Sequence, residues 1–182
     1  MPGPLWQATR DLHHDAETHP LACAMIEATI TPQAWADWLH AHWTIQLALD
    51  PHLPLAVRRA DALALDLLAL LPVQARPSPA VAKFAATLID PVTIFGAAYL
   101  TIGAHRRGGR VIEKALRAAG RDLPSRHTAF DDGPAAEAFV RQLGETPELA
   151  PGARRTFAAL TAVMDEIVAR DASTSEPREP RP

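Results

Sequence analysis

The prolines of this chain fall mostly between its periodic apolar segments rather than inside them, which points to a bundle of α-helices. Proline lacks a backbone donor and clashes with the preceding turn, so it opens a helix or separates two. Thr31-Pro32 reads as an N-cap followed by proline at the first helical position. The helix it opens carries Trp35, Trp38, Leu39, Trp43 and Leu47 and ends before Asp50-Pro51. Further helices are expected over residues 5–17, after Pro20, from Pro54 to a stop at Pro72, and from Pro79 to about residue 88. Asp90-Pro91, Asp132-Gly133-Pro134 and Pro151-Gly152 open the remaining three. The stretch 91–119 reads as one long buried element stopped by Gly120, with Gly96, Gly103, Gly108 and Gly109 inside it. Each interior glycine costs up to about 1 kcal/mol relative to alanine. The expected architecture is all-α, a single domain over residues 1–172 with seven or eight helices and short connections.

With 182 residues, 48% of them hydrophobic, the chain can bury a real core. A net charge of −3 argues against a nucleic-acid or membrane partner. The lone cysteine, Cys23, allows no internal disulfide and no CxxC pair, which fits a cytoplasmic protein. The first residues lack a basic region followed by an apolar core, so no secretory signal is expected. No uncharged apolar run reaches the roughly 18 residues of a spanning helix. Residues 173–182 hold three prolines and no large apolar side chain, and read as a disordered tail.

Two places carry candidate chemistry. His13 and His14 are adjacent on the first helix, so they point about 100° apart and cannot serve one site together. His13 has small neighbours, and Glu17, four residues on, is in reach of its second ring nitrogen. The pair suits either an imidazole ligand or two ordinary surface histidines. Gly108-Gly109, extended upstream by Gly103 and Ala104, strips side chains from one patch of a helix. Such a patch admits a ligand face, a kink, or the close approach of another helix. Arg106, Arg107, Arg110, Lys114 and Arg117 cluster nearby, with Arg141, Arg154 and Arg155 further on. They suit a dicarboxylate ligand or plain solvation, and the absence of interleaved aromatics speaks against nucleic acid. No GxSxG elbow, HExxH motif or repeated ExxH pattern is present.

The run Ala8-Thr9-Arg10-Asp11-Leu12-His13-His14-Asp15-Ala16-Glu17 resembles the segment that carries the proximal haem ligand in the haem oxygenase family, with His13 at the ligand position. The stretch from Ala98 to Ile112 resembles that family's distal helix, where an aromatic and a glycine-rich turn with Gly-Gly lie over the haem. Ala153 to Leu160 is similar to its closing helix, and the likeness spans roughly residues 8–170. The resemblance implies a haem oxygenase-like helical bundle and a metal ligand at His13. It implies that Arg10, Glu17, Tyr99, Arg107, Arg110 and Arg141 contribute to haem binding. Gly103, Ala104, His105, Gly108 and Gly109 would face the reacting side. Animal-type members have Gly-Asp at Ala104-His105, and Trp6 stands where relatives can place a basic residue. His105 would then assist proton delivery, point to solvent, or become a second axial ligand.

The activity so implied is cleavage of haem, at once substrate and prosthetic group, to biliverdin, CO and ferrous iron. It would use O₂ and electrons from a ferredoxin, flavodoxin or reductase-type partner. Three alternatives stand beside it: a non-degrading haem carrier or sensor, an enzyme of the thiamine-degrading type on a similar helical fold, and a helical interaction module.

Overall fold

Most helices begin where a side chain or a proline answers for the first N–H groups. The computed structural model describes residues 3–175, and among these every regular element is a helix, with no strand. The helices are α1 (Pro4–Glu17), α2 (Pro20–Ile26), α3 (Pro32–Leu49), α4 (Ala60–Ala69), α5 (Pro79–Ala85), α6 (Pro91–Arg106), α7 (Gly108–Ala118), α8 (Gly133–Gly144) and α9 (Ala150–Ser175). The expected caps are in place. The Thr31, Asp90 and Asp132 side chains accept from the N–H groups of Ala34, Thr93 and Ala135 at 3.0, 3.0 and 2.9 Å. Gly120, with φ +70°, ends α7: the N–H of Arg121 reaches the carbonyl of Leu116 at 2.9 Å and that of Gly120 reaches Arg117 at 3.0 Å.

Three boundaries differ from expectation. The helix expected from Pro54 starts at Ala60, after a 3₁₀ turn at Leu55–Val57. The Asp50 carboxylate accepts from the N–H groups of Arg59 and Ala60, so a residue ten positions upstream supplies the cap. The element expected over 91–119 breaks at Arg107 (φ −106°, ψ −66°) into α6 and α7. Its second half is largely exposed: Leu116 is its one fully buried residue, Ile112 leans on the core beside it, and Val111 is 57% exposed. The tail expected from residue 173 is helical as far as Ser175, and the rest of it lies outside the described residues.

Helices α3, α6 and α9 form the centre. One apolar cluster runs from Leu5 to Ile167 and takes in Trp35, Ile45, Leu63, Ile102 and Leu116. The tightest crossing joins α6 to α9, where Gly96 and Gly152 face each other's backbone. A Cβ on Gly152 would lie 2.1 Å from the Val92 carbonyl oxygen, and one on Gly96 2.5 Å from the Ala153 nitrogen. Asp37, 2% exposed, pins the other end of the bundle. It accepts from the Arg76 backbone N–H (2.7 Å), Arg76 Nε (2.8 Å) and Gln33 Nε2 (2.9 Å). No helix of the described residues is long and apolar enough to cross a membrane.

Candidate functional site

Helix α1 lies on the bundle along a narrow stripe. Leu5 and Thr9 are buried, Leu12 and Ala16 lean on the core, and α9 is the main partner. One turn beyond Thr9 stands His13, half-buried, its ring edge-to-face with Phe157 of α9 (centroids 4.7 Å apart, planes at 75°). Trp6 flanks it at 6.4 Å. The Nε2 atom of His13 is buried and has no hydrogen-bond partner. Desolvation lowers the imidazole's pKa, and the Glu17 carboxylate partly opposes that. The result is a neutral ring with an unclaimed nitrogen, which is what a transition-metal ligand requires.

Glu17 does not do what its spacing suggests. It is exposed, and no hydrogen bond joins it to His13; its influence is electrostatic only. His14 is exposed and is not aimed into the bundle.

The two central glycines separate in role. A Cβ on Gly108 would meet nothing within 4 Å, whereas one on Gly109 would lie 2.8 Å from Thr128 Cγ2. Gly109 is therefore bare because the Arg126–Thr128 turn presses against it, which is a packing reason. Gly108 and Ala104, one turn apart, are both exposed and leave an open face at the break between α6 and α7. Gly103 points toward α8, its added Cβ at an ordinary 3.7 Å from Val140.

Around the open face, Tyr99 packs against the bare Gly144 of α8, whose added Cβ would sit 3.4 Å from its ring. Burial raises the Tyr99 pKa while the charge of Arg107 lowers it, so those two side chains share one electrostatic environment. Arg107 is exposed at the break, and Arg10 on α1 and Arg141 on α8 are exposed as well. Other cations are already engaged. Arg106 pairs with Glu137 at 3.2 Å, Arg154 with Asp11 at 3.1 Å, and Arg155 donates to the Thr93 hydroxyl. Arg110 lines a separate open cleft of about 670 Å³ with Glu113, Lys114, Arg117 and Thr128.

Of the three positions open to His105, one falls away. It does not point to solvent: it is 3% exposed, and its ring lies between those of His42 on α3 and His127 in the Arg126–Thr128 turn. Sequence reading missed His42, His127 and Asp66, which holds His127, because three residues so far apart in the chain meet only once α3, α4 and α6 have packed.

No protein-family profile matches the chain, and no curated protein matches it. Solved structures do. Haem oxygenase-1 of the cyanobacterium Synechocystis sp., crystallised in complex with haem, superposes with a TM-score of 0.71 at 16% identity, covering 93% of this chain and 91% of that one. Haem oxygenase of Leptospira interrogans gives 0.70 at 17% identity, covering 89% and 97%. The chain therefore has the haem oxygenase fold over nearly its whole length, as its two motifs suggested.

Proposed function

We propose that the protein is a haem oxygenase that holds haem through His13. It would cleave haem to biliverdin, CO and ferrous iron with O₂ and electrons from an external donor. The observation that carries this reading is the buried, unpartnered Nε2 of a half-buried His13. It occurs on the first helix of a fold shared with haem oxygenases.

The residues present fit a haem. Phe157 and Trp6 fix the plane of the ligand ring and keep water from it. Ala104 and Gly108 present an exposed face with nothing larger than a methyl group, against which a flat macrocycle could lie. Arg10, Arg107 and Arg141 are exposed and have no ion pair within 4.0 Å among the described residues, so they can take the carboxylates of the ligand's edge. When bound, haem supplies the iron that activates dioxygen and is also the molecule cleaved. His13 would hold the iron through its unpartnered Nε2. Tyr99, beside Arg107, would place its hydroxyl toward one carboxylate. A ferredoxin, flavodoxin or reductase would supply electrons, since the sequence has neither a cysteine cluster nor a dinucleotide-binding glycine fingerprint. Such a reaction suits the cytoplasm.

The test is haem turnover followed by absorbance, first without and then with oxygen, in the presence of an electron donor. Loss of the Soret band with appearance of biliverdin and CO supports the reading. A persistent Soret band identifies a haem carrier or sensor. Failure to bind haem favours the thiamine-degrading type of helical enzyme.

A further inference from the structure

The direction of the His13 ring depends on how α1 is turned about its own axis. Two of the 14 residues of α1, Leu5 and Thr9, are fully buried against the bundle. At about 3.6 residues per turn, Asp11 and His13 point roughly 160° apart, on opposite flanks of that stripe. A helix seated on so narrow a stripe can roll, and any roll turns the imidazole with it. Both flanks are gripped from α9. Arg154 Nη1 donates to the Ala8 carbonyl at 2.9 Å and to Asp11 Oδ1 at 3.2 Å, and Nη2 donates to Asp11 Oδ2 at 3.1 Å. On the other flank Phe157 takes the His13 ring edge-to-face, with centroids 4.7 Å apart. Arg154 and Phe157 stand three residues apart on α9, so they leave it as neighbours on one face.

A gain in stability does not account for the Arg154 contact. The Arg154 and Asp11 side chains are 47% and 61% exposed, and water and salt screen an ion pair in that setting. What the contact supplies is geometry. A guanidinium fork that meets both carboxylate oxygens fixes direction as well as distance. Its third bond goes to a main-chain carbonyl, so the fork holds the backbone of α1 and not a pliant side chain alone. The bond from Arg154 lowers the Asp11 pKa, with desolvation opposing it, and keeps the carboxylate charged and the fork closed at neutral pH. The ends of α1 are held elsewhere. A Cβ on Gly3 would lie 2.7 Å from the Gly144 carbonyl oxygen, and His19, just past the last turn, brings Nε2 to 3.1 Å from Asp165 of α9. His13 sits between these anchors, two residues from Asp11.

We propose that Arg154, through its fork on Asp11 and the Ala8 carbonyl, is a positioning residue for His13: with Phe157 on the opposite flank it stops α1 from rolling and fixes the direction in which Nε2 is presented. The role rests on the haem reading above, since it concerns the geometry of the ligand that reading assigns. It also settles what Arg154 is for. Asp11 fills its fork from within the chain, so Arg154 acts on the ligand side through α1 and not on a carboxylate of the haem edge.

The experiment compares wild type, Arg154→Gln, Asp11→Asn and the double variant. It uses haem titration, resonance Raman of the haem complex, and nuclear Overhauser contacts between the His13 and Phe157 ring protons in haem-free protein. Each single variant is expected to weaken haem affinity by about two- to fivefold, the range of one exposed charge pair expressed as a ratio. The iron–histidine stretch should shift or broaden, and the His13–Phe157 contacts should weaken while helicity holds. The double variant should be no worse than either single one, because all three break one contact. Intact ring contacts and an unshifted stretch in Arg154→Gln would reduce the fork to a surface pair and overturn the proposal, as would losses that add in the double variant. Failure of wild type to bind haem overturns the haem reading, and the ring contacts in haem-free protein still decide whether Arg154 orients His13. Should Arg154→Gln lose helicity, Arg154→Lys, which keeps the charge and loses the fork, decides by the same contacts.

Discussion

His13 of α1 and Phe157 of α9 meet edge-to-face with ring centroids 4.7 Å apart, and this contact fixes the direction in which the unpartnered Nε2 presents itself. An edge-to-face pair contributes about 0.5–1.5 kcal/mol beyond area burial. Phe157→Leu keeps the apolar volume and removes the contact. It is expected to weaken haem affinity by about two- to twelvefold, the same free energy expressed as a ratio, with little change in helicity. A haem titration read by absorbance checks it, and an affinity unchanged in Phe157→Leu would show that the ring contact orients nothing.

The two central glycines are predicted to respond in opposite ways. Gly109→Ala places a Cβ against Thr128 and should destabilise the fold by about 1–3 kcal/mol, the range for overpacking. Gly108→Ala meets open space and should leave stability unchanged or raised by a few tenths of a kcal/mol. Gly108→Leu should reduce haem affinity while the urea midpoint holds. Equal loss of affinity and stability at Gly108 would mean that its bareness serves packing after all.

Gly152→Ala tests the crossing of α6 and α9. The new Cβ would sit 2.1 Å from the Val92 carbonyl oxygen, a backbone atom that cannot turn aside. Separation of the two central helices should cost at least about 3 kcal/mol, above the ordinary overpacking range. Denaturant unfolding followed by circular dichroism measures it. A cost under about 1 kcal/mol would show that the two backbones slide apart easily.

Acid should weaken this protein below neutrality. Burial pushes the His42 pKa down to about 3, and the His105 pKa moves the same way through burial and the neighbouring His42, His127 and Arg59. The unfolded chain binds protons near pH 6.5 and the folded chain does not. The stability from keeping these rings neutral is therefore complete above pH 6.5 and is lost as pH falls toward 3. The slope is at most about 1.4 kcal/mol per pH unit for each ring. His42→Leu should flatten the pH dependence of the urea midpoint between pH 6.5 and 4. A wild-type midpoint that stays level over that range would contradict it.

Much of the fold was legible because its signals are local. Thr31-Pro32, Asp90-Pro91 and Asp132-Gly133-Pro134 announce helix starts through chemistry within three residues, and Gly120 announces a stop through its own φ. The delayed start of α4 was not legible, because its cap is the side chain of Asp50, ten residues upstream. The break at Arg107 was hidden for a related reason. Gly108 and Gly109 look alike in sequence, and only the approach of Thr128 separates them.

The candidate site divides in the same way. His13 was singled out by its small neighbours and by the resemblance to the proximal segment, and the bond to Glu17 that its spacing suggested is not made, because spacing gives proximity without orientation. His42, His127 and Asp66 carry no local pattern, and their meeting with His105 depends on tertiary packing alone.

The most direct test of the central claim is haem titration of wild type, His13→Ala and His14→Ala, with absorbance and resonance Raman reading the axial ligand. Wild type and His14→Ala should bind haem stoichiometrically and show an iron–histidine stretch. His13→Ala should lose that stretch while keeping its fold. An intact iron–histidine signature in His13→Ala, or its loss in His14→Ala, would contradict the assignment of His13 as the residue that holds the iron.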